Sequence, residues 1–288
     1  SEMCIRDSSK LEKKSQDWLE ERYSKLTTWE KTQVARHPNR PHFINYAEGM
    51  LDMFIILSGD RLFGDDKAII GGLGKINNQS VMFIGHEKGN DTKTRIKHNF
   101  GMAHPEGYRK SIRLMRLAEQ FRIPVITFID TPGAYPGVGA EERGQSEAIA
   151  NSTDCTLSLK VPVISIIIGE GGSGGAIALA AANKVFMLEH SIYTVASPEA
   201  SASILWRSSD KAKEAAESMK ITSTDLMDLG IIDNIIDEPL GGAHREPVQM
   251  ISQVKTHLRD TLTELNKFTV EELIQTRRDK FLKIGKDL

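Results

Sequence analysis

Two stretches place glycines beside residues that could do chemistry: Asp130-Thr131-Pro132-Gly133-Ala134-Tyr135-Pro136-Gly137 and Gly169-Glu170-Gly171-Gly172-Ser173-Gly174-Gly175-Ala176. Each follows an apolar run, and the second enters a segment of small apolar residues. Where a buried strand ends and a helix begins, backbone N–H groups stand unpaired and can meet negative charge. Ligands of open α/β sheets bind there, off the carboxyl ends of strands. Two such turns could hold two anionic oxygens. A nucleotide loop fits poorly, because the second turn lacks the Lys-Ser/Thr of a P-loop. No acidic residue ends a strand about 20 residues later either, the nearest strand end being Leu188-Glu189. Ser173 has the Gly-x-Ser-x-Gly form of a nucleophile elbow, and eight histidines leave a serine-hydrolase triad open on paper. The glycines explain that turn without a nucleophile, and neither His190 nor His244 lies in a diagnostic context. Tight helix–strand packing is the remaining reading of the glycines. Glu141, Glu142 and Glu170 read as solvated or capping carboxylates.

The elements that would position these turns follow from apolar spacing. Leu11, Trp18, Leu19, Tyr23, Leu26 and Trp29 predict one amphipathic helix over 9–36, ended by Pro38 and Pro41. Ala68 to Leu73 and Val81 to Gly85 flank Asn77-Asn78 and predict a hairpin. Pro105 opens a helix carrying Tyr108, Ile112, Met115, Ala118 and Phe121, followed by a buried strand over 124–130. A helix over about 141–159, a strand over 161–168 and a helix from Gly174 repeat the unit, so parallel βαβ packing is expected. Short strands follow at 184–188 and 192–195. Ser197-Pro198-Glu199 caps the next helix, and a last strand runs over 231–236. Beyond Pro239, two polar amphipathic helices, about 247–266 and 270–284, are expected to pack outside or on a partner.

Composition bounds the class. The chain has 288 residues, 40% hydrophobic and 26% charged, with a lean 6% aromatic, near the average for globular proteins. A net charge of -2 provides no global field for nucleic acid or anionic lipid. The longest apolar stretches, 161–169 and 174–182, fall short of the roughly 18 residues of a membrane span. A cytoplasmic protein is expected. Cys4 and Cys155 have no partner at metal-ligand spacing, so no zinc site is expected and both read as inert packing. Ser1 to Arg6 has no signal-peptide pattern and reads as a fragment end or foreign leader.

The runs Ile84-Gly85-His86-Glu87-Lys88-Gly89, Asn99-Phe100-Gly101-Met102, Pro105-Glu106-Gly107-Tyr108-Arg109-Lys110, 128–137, 139–150, 168–176 and 240–245 closely resemble the α subunits of bacterial acetyl-CoA carboxylase carboxyltransferases. The resemblance extends from about Trp18 to the C-terminus. It departs at Ala200-Ser201, where relatives carry Gly-Cys, and in a shorter N-terminal helical region.

That resemblance implies an α/β fold of the crotonase type, a spiral of ββα units with helical extensions at both ends. The expected division is 1–43, an N-terminal helical extension, then 44–240, the core domain, and 241–288, the C-terminal helices. It implies transfer of a carboxyl group from biotin on a carrier protein to acetyl-CoA, giving malonyl-CoA for fatty acid biosynthesis. The implied partners are a β subunit, as α2β2, the biotin carboxyl carrier protein and biotin carboxylase, with coenzyme A as substrate carrier and no metal in this chain. Negative charge would develop on the ureido oxygen and on the thioester oxygen, so two oxyanion holes are needed. By similarity Gly174 and Gly175 form the biotin-side hole, with Gly133 and Ala134 completing the pocket. Arg109 resembles the arginine that anchors the transferred carboxylate. Gly171, Gly172, Tyr135 and Pro136 are expected at the cofactor. A stand-alone crotonase-type hydratase or isomerase, and a non-catalytic scaffold for the β subunit, are the rival readings.

Overall fold

The computed structural model describes residues 2–286, with side chains from Lys10 onward, so Cys4 lies outside the described side chains. The N-terminal stretch forms α1 (Glu2–Tyr23) and α2 (Thr28–Ala35) instead of one helix over 9–36. A capping box divides them: the Glu30 N–H donates to Thr27 Oγ1 at 3.2 Å, and the Thr27 N–H to Glu30 Oε2 at 2.9 Å. Next come α3 (Phe43–Met50) and the edge strand β1 (Met53–Ile56). The expected hairpin is present as β2 (Ile69–Ile76) and β3 (Gln79–His86). Its turn residues Asn77 and Asn78 stand at φ 47° and 66°, the left-handed pair that tight hairpins require.

After α4 (Thr92–Lys97), α5 (Pro105–Phe121) leads into β4 (Val125–Thr131). The helix expected over 141–159 is split into α6 (Val138–Glu142) and α7 (Gln145–Ser158), because Gly144 sits between them at φ 79°. Then follow β5 (Val163–Gly172), α8 (Ser173–Ala180), β6 (Lys184–Leu188), β7 (Ile192–Thr194) and α9 (Pro198–Trp206). Ser197 caps α9 as expected, accepting from the Ala200 N–H at 3.1 Å. The chain closes with α10 (Ala212–Ser218), α11 (Ser223–Asp228), β8 (Asn234–Ile236), α12 (Pro247–Leu265) and α13 (Val270–Lys283).

These strands form one mixed sheet in the order β1-β2-β3-β4-β5-β6-β8, with β7 beside the far end of β5. The first two pairings are antiparallel, and the pairings from β3 onward are parallel. Alternation along β4 feeds two cores. Val125 and Ile129 pack with Leu114, Met115, Cys155 and Leu179 of α5, α7 and α8, whereas Ile126 and Phe128 pack with Phe43, Tyr46, Phe83 and Met250 on the other face.

The C-terminal helices are not merely external. Met250, Val254, Leu258, Leu262 and Leu265 form an aliphatic stripe on α12 that covers the second core. The polar composition of this segment hid the stripe. Arg277 of α13 is 0% exposed and donates to the carbonyls of Thr156, Leu159 and Val161 and to Asn183 Oδ1. At the other end, buried Arg40 donates two 2.7 Å bonds to Glu238, tying the segment before α3 to the end of the sheet.

Candidate active site

β5 continues through the glycines expected as a turn, because Glu170, Gly171 and Gly172 pair with Ile192, Tyr193 and Thr194. The chain reverses only at Ser173, a non-glycine residue at φ 51°. Strain of this kind clusters at functional sites. Gly171 and Gly172, expected at a cofactor, are buried here as the last two residues of β5. A Cβ on Gly172 would lie 2.2 Å from Pro132 O and 2.8 Å from Gly133 N, so the two turns touch backbone to backbone.

Gly133 stands at φ 147°, a conformation that favours glycine. Its N–H donates to Thr131 Oγ1 at 3.1 Å, and that hydroxyl donates back to Gly133 O at 2.8 Å. The Gly133 donor is therefore occupied, and the Ala134 N–H is the one that the turn leaves free. The N–H groups of Gly174 and Gly175 fall in the first turn of α8, where no intrahelical acceptor exists. A Cβ on Gly175 would lie 2.8 Å from Ala134 N, so these donors converge. The pairing of Gly133–Ala134 with Gly174–Gly175 is thus present in space.

Tyr108, which helical spacing places on the apolar face of α5, is 0% exposed, but its hydroxyl has no hydrogen-bond partner. That oxygen lies 3.1 Å from where a Gly175 Cβ would be. Burial pushes the phenol well above its ordinary range, so it is a neutral O–H donor beneath the turns. Only an unsatisfied buried hydroxyl reveals such a group, and sequence does not report it.

Outside Gly174 lies an apolar cavity of about 680 Å³ lined by Gly174, Ile177, Tyr193, Ile221, Leu226 and Phe281. Tyr135 and Pro136 do not line this cavity. The Tyr135 ring packs on His104 at 4.3 Å between centroids, and His104 Nδ1 pairs with Asp66 at 2.9 Å.

Arg109, expected to anchor a carboxylate, already has most of its fork engaged within the fold. Its side chain is 20% exposed, Nε donates to Asp60 at 2.9 Å, and Nη1 donates to Arg143 O at 3.0 Å. Nη2 stands 3.6 Å from Glu106 and makes no hydrogen bond. Burial would raise the Asp60 carboxyl, but the N–H groups of Leu62, Phe63 and Gly64 together with Arg109 hold it at about 2. Burial pushes the Cys155 thiol up to about 11, which agrees with inert packing. Ala200 lies in ordinary helix, so no glycine is required there. Among the described residues no cluster of His, Cys, Asp and Glu could hold a metal, and no helix is long and apolar enough to cross a membrane.

Comparison with known proteins gives the same fold and a family. Solved structures similar to this chain include a Pseudomonas malonate decarboxylase hetero-tetramer in complex with coenzyme A, at TM-score 0.65 and 15% identity over 82% of this chain and 92% of that one. The transcarboxylase 12S core matches at TM-score 0.58 and 18% identity over 74% of this chain and 41% of that one. At such identities they establish the crotonase-like fold alone. Among curated proteins, the acetyl-coenzyme A carboxylase carboxyl transferase subunit alpha of Parvibaculum lavamentivorans is 59% identical over 278 residues, 96% of this chain and 87% of that protein. The same subunit of Zymomonas mobilis subsp. mobilis is 60% identical over 280 residues, 97% of this chain and 90% of that protein. The model of the acetyl co-enzyme A carboxylase carboxyltransferase-like family matches residues 3–285, and the chain belongs to that family.

Proposed function

We propose that this chain is the α-type carboxyltransferase subunit of an acetyl-CoA carboxylase, working with a β subunit in the cytoplasm to move a carboxyl group from biotin to acetyl-CoA. The observation that carries the reading is the convergence of free N–H donors from two βα turns, Ala134 on one and Gly174–Gly175 on the other, beside an apolar cavity. Biotin, brought by its carrier protein, supplies a carboxyl group on a ureido nitrogen. The apolar wall fits its bicyclic body, and the free N–H groups fit its ureido oxygen.

This chain's own residues bind, orient and exclude water. The Gly174 and Gly175 N–H groups donate to the oxygen on which charge accumulates as the carboxyl leaves. Their positions are fixed before the reaction, so no reorganisation is required. Ala134 adds a donor from the facing turn, and Tyr108 supports it from below. Ile149, 3.4 Å from where a Gly174 Cβ would be, closes the site against water. Arg109 keeps one unbonded edge, Nη2, that could take a carboxylate oxygen while Asp60 holds the rest of the fork. Coenzyme A would be held chiefly by the β subunit, in an α2β2 assembly joined by biotin carboxylase.

The test is co-expression with a β subunit, followed by malonyl-CoA decarboxylation with biocytin as acceptor, since this reverse reaction requires neither ATP nor the carrier. Turnover that depends on biocytin and on both subunits is expected. An intact, folded complex without turnover refutes the assignment.

A further inference from the structure

Two runs that carry the family resemblance, Ile84 to Gly89 and Asn99 to Met102, take no part in the glycine turns. They meet elsewhere. Lys88 and Phe100, with Arg95 from α4 between them, line a cavity of about 190 Å³ together with Arg36, His42 and Pro132. Asn99, Phe100 and Gly101 stand at φ 46°, 56° and 79°, three consecutive left-handed residues. Such a run is costly and persists only where its surroundings over-determine it. Asn99 Nδ2 donates to Met102 O at 2.7 Å, and Gly101 sits so close that a Cβ would lie 2.8 Å from Lys88 Cγ and 2.9 Å from Asp130 O. The Phe100 ring is held 48% exposed at the cavity rim.

The polar groups around the cavity are unevenly satisfied. Lys88 Nζ donates to Asp130 Oδ1 at 2.6 Å, and Arg36 is engaged by Glu170 and Glu199 at 2.7 and 2.6 Å. His42 is different: its side chain is 8% exposed, yet neither ring nitrogen has a hydrogen-bond partner, Nδ1 standing 3.5 Å from Asp130 Oδ2. Arg95 makes none of the ion pairs among the described residues. A buried N–H without an acceptor is costly enough that an occupant is its simplest explanation. The unspent donors belong to separate elements, so the occupant must present oxygens in several directions. A phosphate does this, whereas a planar carboxylate presents only two oxygens on one edge.

We propose that the cavity between Lys88, Arg95 and His42 is a phosphate-binding site, for phosphate free in solution or carried as the monoester of coenzyme A. The coenzyme source rests on the function proposed above; the free-phosphate source does not. Calorimetry on the full chain, alone and with its β subunit, would use inorganic phosphate, coenzyme A and dephospho-coenzyme A as probes. Saturable phosphate binding is expected, weakened about tenfold or more in Arg95→Gln, the loss of one charge-assisted hydrogen bond. Arg95 lies on a short helix capped independently by Asp91, so the variant should fold, and an unchanged thermal midpoint checks this. Lys25→Gln, an exposed substitution of equal charge change, should bind like wild type. Coenzyme A binding tighter than the dephospho form, with the difference abolished by Arg95→Gln, supports the monoester. Equal coenzyme affinities with phosphate binding intact support free phosphate. Phosphate that fails to saturate, or binds Arg95→Gln as well as wild type, overturns the proposal. Absent carboxyl-transfer turnover with phosphate binding intact sinks the proposed function and leaves this site standing.

Discussion

At the scale of single residues, two glycines that look alike in the sequence, Gly174 and Gly175, have different duties. A Cβ at Gly175 meets the backbone at Ala134 N and Gly133 C, both at 2.8 Å, whereas one at Gly174 meets only the Ile149 side chain at 3.4 Å, an ordinary contact. Gly175→Ala must therefore push the turns apart, and malonyl-CoA decarboxylation should fall by about 10²–10³, the worth of an oxyanion donor. Gly174→Ala should lose less and keep its thermal midpoint; equal losses would show that the turns do not depend on contact at Gly175. Tyr108→Phe removes an unpaired hydroxyl and no hydrogen bond of the apo fold, so stability should hold while kcat falls with little change in KM. An unaltered kcat would make Tyr108 a core residue alone. His86 is wholly buried, and burial lowers its pKa to about 4. Its unfolded form binds a proton near pH 6.5, so between those values the unfolded state holds more protons and stability rises with pH. Acidification from pH 7 to 5 should cost about 2 kcal/mol through this group. Urea midpoints across that range should fall, and His86→Gln should flatten the slope.

At the scale of elements, α13 is fastened by buried Leu273, by the Asn183 amide donating to Leu273 O, by the Lys280–Asp233 ion pair and, most deeply, by the Arg277 guanidinium. Arg277 donates to buried carbonyls near the end of α7 and in the loop before β5, and among the described residues no carboxylate is bonded to it. Replacing it with leucine leaves several buried carbonyls unpaired, a loss of roughly 3–5 kcal/mol. Denaturant unfolding of Arg277→Leu should show it, with the helix released first in hydrogen exchange. A loss below about 1 kcal/mol would mean that water replaces the guanidinium. The capping box at Thr27 and Glu30 acts more locally, restarting a helix that apolar spacing alone would have continued.

At the scale of the molecule, two groups of apolar side chains are solvent-facing in the isolated chain, Val195, Ile204, Leu205 and Trp206 on α9 and just after β7, and Met53, Ile55, Ile56, Leu62 and Phe63 on β1 and the loop after it. That exposure agrees with life in a complex. Light scattering on the co-purified subunits should give the summed mass of two α and two β chains. A monodisperse, fully active α subunit by itself would contradict the proposed assembly.

The hairpin at Asn77-Asn78, the Ser197 cap, the alternating strands and helices, and the glycine turn at Gly133 are all legible in the sequence, because each depends on local conformational preference or on a short apolar period. The family resemblance supplied the fold name and the chemistry. Other features depend on long-range packing. Glu170 to Gly172 reads as a turn until β7 pairs with it, and the helix carrying the Met250-to-Leu265 stripe reads as packing outside or on a partner until a sheet face appears beneath it. Arg109 reads as an open fork for a carboxylate until Asp60, 49 residues earlier, takes its Nε. Which N–H at the Gly133 turn is free was decided by the Thr131 hydroxyl, and Tyr108 became a site residue only through the partner it lacks. Periodicity and turn chemistry belong to neighbours along the chain, whereas satisfaction of a donor belongs to neighbours in space, and only the folded structure supplies those.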